Sequence, residues 1–424
     1  MVQAAVAALA LAVTLPLLHG CKDDLEDPTL GSVAIELSSP SAGAYENSTI
    51  YWGDSVLVAN ATDASYHFLL PAGPQSLRIE NECARDFLPA AELQFDVRRG
   101  REQVVSWEVL PSPSVEVTST ILGAEIVVDG AATGRRTPAT LCLSPGAHEI
   151  SVRFEGASAG VDSVQRITID EGSEQVSFDL QPLPQQKGAL MELFTATLCP
   201  NCPVADEAAT IVGEDLSLRA RGALHLQVHT FWGGTDPFTT PTSLARDGFF
   251  DAEGDGIPAA FFNGGDIIRG AAGGVPILTQ RYRQKLEAIV ASPANTALFL
   301  RGVEHAPGEE LRATLRVLLV ADAATWGNDD PTKLELVAFY AKDRLEVFVQ
   351  GKGDATFNNV VREYRRIGSL PELSLAQRGD YADLPISFSL ASDTQWSEDR
   401  MTLGVFLQDV ETKAIHQVVS VDLF

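Results

Sequence analysis

One stretch of this chain has residue types and spacing that suggest chemistry: Cys199-Pro200-Asn201-Cys202-Pro203. Two thiols three positions apart can close into a disulfide, reopen by exchange, or hold a soft metal. Upstream, Ala189 to Phe194 is an apolar run of strand length. Downstream, Val204 to Arg219 places Val204, Ala208, Ile211, Val212 and Leu216 at helical spacing, with Asp206 and Glu207 in the predicted first turn. The pair is therefore expected at a strand-to-helix junction. Unpaired backbone N–H groups and the positive end of the helix dipole favour thiolate there. Cys199 is expected to be the exposed nucleophile and Cys202, one turn in, the resolving thiol.

Other residues bear on the same chemistry. Glu192 lies near the end of the strand beneath the helix and would carry a proton to the resolving thiol if buried; the alternative is an edge carboxylate in solvent. His229 would act similarly, against a satisfied core or surface histidine. A zinc site needs two further ligands, and no second CxxC is present. His225 and His229 lie two alternations apart on one strand face and are the candidates for a Cys2His2 set. The expectation is no metal and no cofactor. A purely structural disulfide is the rival reading, although so short a loop stabilises little through chain entropy.

At 424 residues the chain has room for about three domains. Its hydrophobic fraction of 45% is that of globular protein. With Asp+Glu 57 against Lys+Arg 31, the formal charge is −26, which argues against a nucleic-acid partner.

Residues 1–20 form the one long apolar stretch, ending Leu17-Leu18-His19-Gly20-Cys21. That end resembles a bacterial lipobox, which implies a signal peptide over 1–21, lipidation of Cys21 and membrane attachment through the lipid. No Lys or Arg precedes the run, a departure from the usual pattern. Lys22-Asp23-Asp24 is similar to the signal that sends Bacteroidetes lipoproteins to the cell surface. The implied location is the bacterial cell envelope, at the outer membrane. In an oxidising compartment Cys83 and Cys142 could bridge; the alternative is two buried free thiols.

After a tether over 22–32, strand-like alternation recurs over 33–110 and 115–183. In the second segment, Val128-Asp129-Gly130, Thr137-Pro138 and Pro145-Gly146-Ala147-His148 resemble the PEGA repeat, a small β-sandwich module of bacterial surface proteins. The first segment shares the later half of that pattern. Gly73 and Gly146 are 73 residues apart, and Gly100 and Gly172 are 72 apart, so the segments read as an internal repeat. The first lacks a clear Asp-Gly turn. His148 reads as a surface strand residue.

From Lys187, a strand, the CxxC helix, the strand Ala223–His229, Pro258 opening a further strand, and a helix over 278–291 follow in thioredoxin order. Glu192-Leu193-Phe194-Thr195, His229, Asp236-Pro237-Phe238 and Gly256-Ile257-Pro258 with Asn263-Gly264 resemble the outer membrane protein twenty-eight-related family. That resemblance implies a thioredoxin-like domain over 187–292, with a cis-proline at Pro258 facing the dithiol. Phe406 to Asp409 and His416 to Val419 extend it into 293–424, where eight strand-like segments suggest a β-sandwich. Within it, 345–350 and 358–362 could instead be helical. Arg362, Arg365 and Arg366 form a basic patch that reads as a solvated face.

The expected fold class is multidomain and mixed: two small PEGA-like β-sandwich repeats, an α/β thioredoxin-like domain and a C-terminal all-β sandwich. The expected function is that of a lipid-anchored envelope protein exchanging disulfides with thiol-containing envelope proteins. The alternative is a non-catalytic surface scaffold or binder whose CxxC is a structural disulfide.

Overall fold

The computed structural model describes residues 29–40, 45–170, 173–252, 254–306, 308–326, 330–349, 351, 353–391 and 400–423. The apolar leader, Cys21, most of the tether and Gly172 lie outside them. The described chain is mostly β and divides into two compact units. The first comprises residues up to 117 with 139–149 and 166–176; the second comprises 118–138, 150–165 and 177–424. The boundary thus runs through the second β repeat.

In the first unit, strand Leu30–Ser38 lies between Ser65–Pro71, antiparallel, and Glu102–Pro111, parallel. A second sheet orders Ser55–Val58, Thr49–Trp52, Gly73–Glu80 and Glu92–Val97. Val33, Ile35 and Leu37 alternate inward with Ile50, Leu77, Ile79 and Trp107 to make one core. Gly73 and Gly146 each begin an eight-residue strand at positive φ, 114° and 138°. That shared position is the structural content of the repeat. The missing Asp-Gly turn of the first copy also has a counterpart. Gly53-Asp54 joins Thr49–Trp52 to Ser55–Val58 with Gly53 at φ 55°, as Asp129-Gly130 joins Glu125–Val128 to Ala131–Arg136 in the second unit.

The rest of the second unit begins with β1 (Ala189–Thr195), then α1 (Cys202–Gly213), α2 (Leu216–Arg219), β2 (Ala223–His229), α3 (Pro241–Phe250), β3 (Ala259–Phe262), β4 (Asp266–Arg269) and α4 (Gly274–Val290). β2 runs parallel to β1, β3 antiparallel to it, and β4 pairs with β3. Every residue of β1 is buried, which explains why it is apolar but for Glu192 and Thr195. Its odd-numbered face, with Met191 and Leu193, packs under Ala205, Ala208 and Ala209 of α1 and Leu278, Tyr282 and Leu286 of α4. Small residues on α1 let the helix lie close to the sheet. The even face, with Leu190 and Phe194, meets Phe250, Phe261, Phe339 and Phe406.

Strands β5 (Thr296–Ala306), β6 (Glu310–Leu319), β7 (Leu334–Lys342), β8 (Leu345–Val349), β9 (Gly353–Phe357), β10 (Val360–Ser369), β11 (Tyr381–Ser389), β12 (Met401–Asp409) and β13 (Ile415–Leu423) follow. The segments 345–350 and 358–362, open to a helical reading, hold β8, which pairs with β9, and the start of β10. The sheet does not break at residue 292. One eight-stranded sheet runs β4-β3-β1-β2-β10-β7-β12-β13, joined where Gln227 of β2 meets Val360 of β10. A three-stranded sheet, β5-β6-β11, covers β7 and β12 through Leu315, Val317, Leu336, Tyr340, Phe388 and Val405. Among the described residues no helix is long and apolar enough to cross a membrane.

Candidate functional site

Cys199 and Cys202 are bonded to each other, with Cα atoms 5.4 Å apart. Cys202 is the first residue of α1, two positions earlier than the apolar spacing indicated, so Asp206 and Glu207 fall outside the first turn. Asn201 makes no side-chain cap bond, so the first N–H groups of α1 lack that partner. Once reduced, a thiol here would still sit at the positive end of the helix.

The expected exposure of Cys199 is corrected: it is 1% exposed and Cys202 0%. Both sulfurs belong to the apolar cluster that includes Phe194, Phe250, Ile257 and Phe261. The turn 196–199, which carries Cys199, is closed by the Cys199 N–H donating to the Ala196 carbonyl at 3.2 Å. Cys199 Sγ lies 4.0 Å from the Ile257 carbonyl oxygen. The Ile257–Pro258 peptide is cis and Pro258 is buried.

Glu192 is buried, but it is not placed to carry a proton. Its side chain lies on the β1 face opposite α1 and α4. Arg246 Nε and Nη2 donate to its two oxygens at 2.8 and 2.7 Å, and the Tyr364 hydroxyl donates to Oε1 at 2.7 Å. The capping box of α3, Thr240 with Ser243 behind Pro241, sets the register that aims Arg246 inward. Arg246 also donates to Gln408 Oε1 at 2.6 Å, and its guanidinium lies within 5.3 Å of the ring centres of Phe249, Phe250, Tyr364 and Phe406. Burial opposes the Arg246 charge, yet the Glu192 carboxylate outweighs it and raises the pKa. Burial, then the same carboxylate, pushes the Tyr364 hydroxyl well above its usual range, keeping it a donor. Sequence reading missed Arg246 and Tyr364; an arginine beside Phe249-Phe250 on a short helix was the signal.

His229, at the end of β2, is fully buried between Phe238 and Phe357, each with a ring centre 4.9 Å away. Its Nδ1 lies 3.1 and 3.0 Å from the two Asp236 oxygens. A carboxylate only accepts, so Nδ1 carries the proton. Nε2 is buried without a hydrogen-bond partner. Asp236 Oδ2 also accepts the Thr197 N–H at 2.6 Å, and Oδ1 the Phe238 N–H at 2.9 Å. Burial acts to raise the Asp236 pKa, but the His229 hydrogen bond and charge, with the two N–H groups, lower it. Asp236 stood in the sequence only as part of a family motif; its link to the dithiol turn is tertiary.

His225 shares the strand face of His229 but packs against Gly213 of α1, its Nδ1 3.4 Å from the Asn359 amide nitrogen. Burial, with the nearby Arg219 charge, pulls its pKa down to about 4. Among the described residues no group of three or more His, Cys, Asp or Glu is disposed to hold a metal. A cleft of about 270 Å³ beside the first turns of α1 is lined by Thr197, Pro203, Asp206, Glu207, Ala355 and Phe357.

Away from this region, Cys83 and Cys142 are bonded, with Cα atoms 5.2 Å apart. His148 is a surface residue, its Nε2 2.9 Å from the Ser144 carbonyl oxygen. The arginine patch is largely neutralised. Arg362 is buried and donates to the Phe238 carbonyl, Arg365 pairs with Glu363, and Arg366 with Glu335 and Glu372.

Among known proteins, the PEGA domain family matches residues 112–184, to which this stretch is similar. No curated protein matches the chain. Several solved structures are similar over part of it, three of them as follows. HBP35 of Porphyromonas gingivalis is 16% identical, covering 56% of this chain and 76% of its own at a TM-score of 0.43. A domain of the outer membrane lipoprotein Omp28 from Porphyromonas gingivalis is 15% identical over 31% of this chain and 88% of its own, at 0.19. The shaft pilin spaA from Lactobacillus rhamnosus GG is 10% identical over 37% of this chain and all of its own, at 0.23. At such overlap the argument for function stays with this chain's own residues.

Proposed function

We propose that this chain is a cell-envelope protein, lipid-anchored through Cys21, whose thioredoxin-like segment 187–292 exchanges disulfides with protein dithiols. The observation that carries the reading is the Cys199–Cys202 bond at the start of α1, with the Ile257 carbonyl 4.0 Å from Cys199 Sγ. Two disulfides suit an oxidising compartment. The β1-α1-β2-α3-β3-β4-α4 order, with β3 antiparallel to β1, supports the thioredoxin-like assignment. The upstream β repeats serve as a spacer between the anchor and the dithiol.

In the oxidised state, a partner thiolate attacks Cys199 Sγ and Cys202 leaves as thiolate, taking up a proton. The partner's second thiolate then attacks its own sulfur in the mixed disulfide and releases Cys199. Two electrons pass from partner dithiol to protein, and the partner leaves as a disulfide. The reverse sequence oxidises the reduced protein. Glu192 has no part in it; it holds α3 and β10 to β1.

A second reading, a surface scaffold with a closed structural disulfide, is favoured by the burial of both sulfurs. Equilibration of the full chain in glutathione buffers, with alkylation and mass measurement, decides between them. A potential well above about −300 mV and turnover of a reduced peptide dithiol support exchange. A potential below that value, or turnover unchanged in Cys199→Ser, overturns it.

A further inference from the structure

We propose that Asp236 is the positioning residue of the dithiol turn: by binding the Thr197 N–H it keeps residues 196–199 closed over Cys199, and so sets how fast a thiol reaches the disulfide. The proposal rests on the exchange reading above and names what controls access to it. A thiolate must approach along the S–S axis, and access to the attacked sulfur enters the exchange rate directly. Here neither sulfur is exposed, so the turn has to open first.

Asp236 lies 37 residues beyond Cys199 in the chain, yet its Oδ2 meets the amide two residues before it at 2.6 Å. The carboxylate is itself held fast. The His229 Nδ1–H and the Phe238 N–H fix its orientation, and Phe238 and Phe357 wall in the imidazole. The same loop touches the turn a second time. Gly234 has a φ of 152°, which favours glycine, and an added Cβ would stand 3.2 Å from Leu198 Cδ1, so the loop lies close against the turn. Three N–H donors converge on two oxygens that accept only. An asparagine there must turn its NH2 toward one of them, leaving a buried donor facing a donor.

The test measures reduction of the Cys199–Cys202 bond in the full chain by dithiothreitol, under native conditions, with timed alkylation and mass analysis. Loosening a hydrogen bond to a buried charge should accelerate reduction at least about ten-fold in Asp236→Asn. Glu192→Gln is the control for general loss of stability in the same unit: it breaks a buried ion pair but no hydrogen bond of the turn, and should accelerate reduction less than Asp236→Asn does. An unchanged rate in Asp236→Asn, or an equal acceleration in Glu192→Gln, overturns the proposal. A second measurement needs no variant. In the wild-type chain the Thr197 amide should exchange with solvent deuterium as slowly as amides inside β2, and fast exchange there overturns the proposal. The exchange reading fails separately: a wild-type protein that never turns over a peptide dithiol refutes that function, whatever the dithiothreitol rates.

Discussion

Burying Glu192 and Arg246 together strips water from two ions, a cost of several kcal/mol for each. The pair persists because every strong valence is met: two guanidinium bonds, a phenol on Oε1, a glutamine on Nη1 and rings around the guanidinium face. Removing one partner leaves the other charge uncompensated. Glu192→Gln is therefore expected to lower unfolding free energy by about 3–5 kcal/mol in urea titration, whereas a surface pair such as Arg166–Glu149 should cost less than about 1 kcal/mol. His225 makes a different prediction. Its pKa is about 4 when folded against an ordinary 6.5, so between those values the unfolded chain binds the extra proton. The stabilisation is complete above pH 6.5 and is lost as pH falls toward 4, by up to roughly 3 kcal/mol. His225→Gln should flatten that limb of the stability–pH curve, and an unchanged slope would show that another group governs it.

Helix α1 shows how an element's setting outweighs its own preferences. It starts at Cys202 because Pro203 is pre-set for a first helical turn and because the disulfide draws residue 202 toward 199. Its last residue is Gly213, where His225 of β2 occupies the space a side chain would need: a Cβ there would come 1.8 Å from the imidazole Nδ1. Alanine gains up to about 1 kcal/mol in helix propensity, while overpacking a buried contact costs typically 1–3 kcal/mol. The clash should win. Gly213→Ala is expected to lower the melting temperature by several degrees, and a rise would mean that His225 moves aside freely. The hairpins of the two β repeats follow local rules instead: Gly53-Asp54 and Asp129-Gly130 are both two-residue loops, with Gly53 alone at positive φ in the first. At Asp129-Gly130 both φ angles are positive, 51° and 82°, as such a hairpin requires.

For the molecule as a whole, the Cys83–Cys142 bond is the long-range constraint, spanning 59 positions. It ties the first repeat to the strand Ala139–Cys142 of the second, so reduction should release both. The chain-entropy relation gives about 4 kcal/mol for such a loop, far more than the three-position Cys199–Cys202 loop can supply. The double variant Cys83→Ser/Cys142→Ser should lower the chemical denaturation midpoint of the first unit and leave the second near wild type. Equal loss in both units would contradict this. The same contrast argues that the short bond is kept for something other than stability.

What the sequence determined by itself is local. The largely apolar run of β1 announced a strand, the 73-residue spacing of Gly73 and Gly146 announced a repeat, and Asp129-Gly130 announced its hairpin. The strand and the hairpin are set by residues within a few positions of one another, where steric preference and period suffice, and the repeat shows as the same local pattern met twice. Tertiary structure decided what those residues do. Whether Cys199 faces solvent depends on a turn held by Asp236, and whether Glu192 can move a proton depends on Arg246 and Tyr364, 54 and 172 positions away. The continuous eight-stranded sheet likewise rests on β2 meeting β10 at Gln227 and Val360. Such outcomes are set by burial and by partners brought together in folding, and no spacing along the chain encodes them.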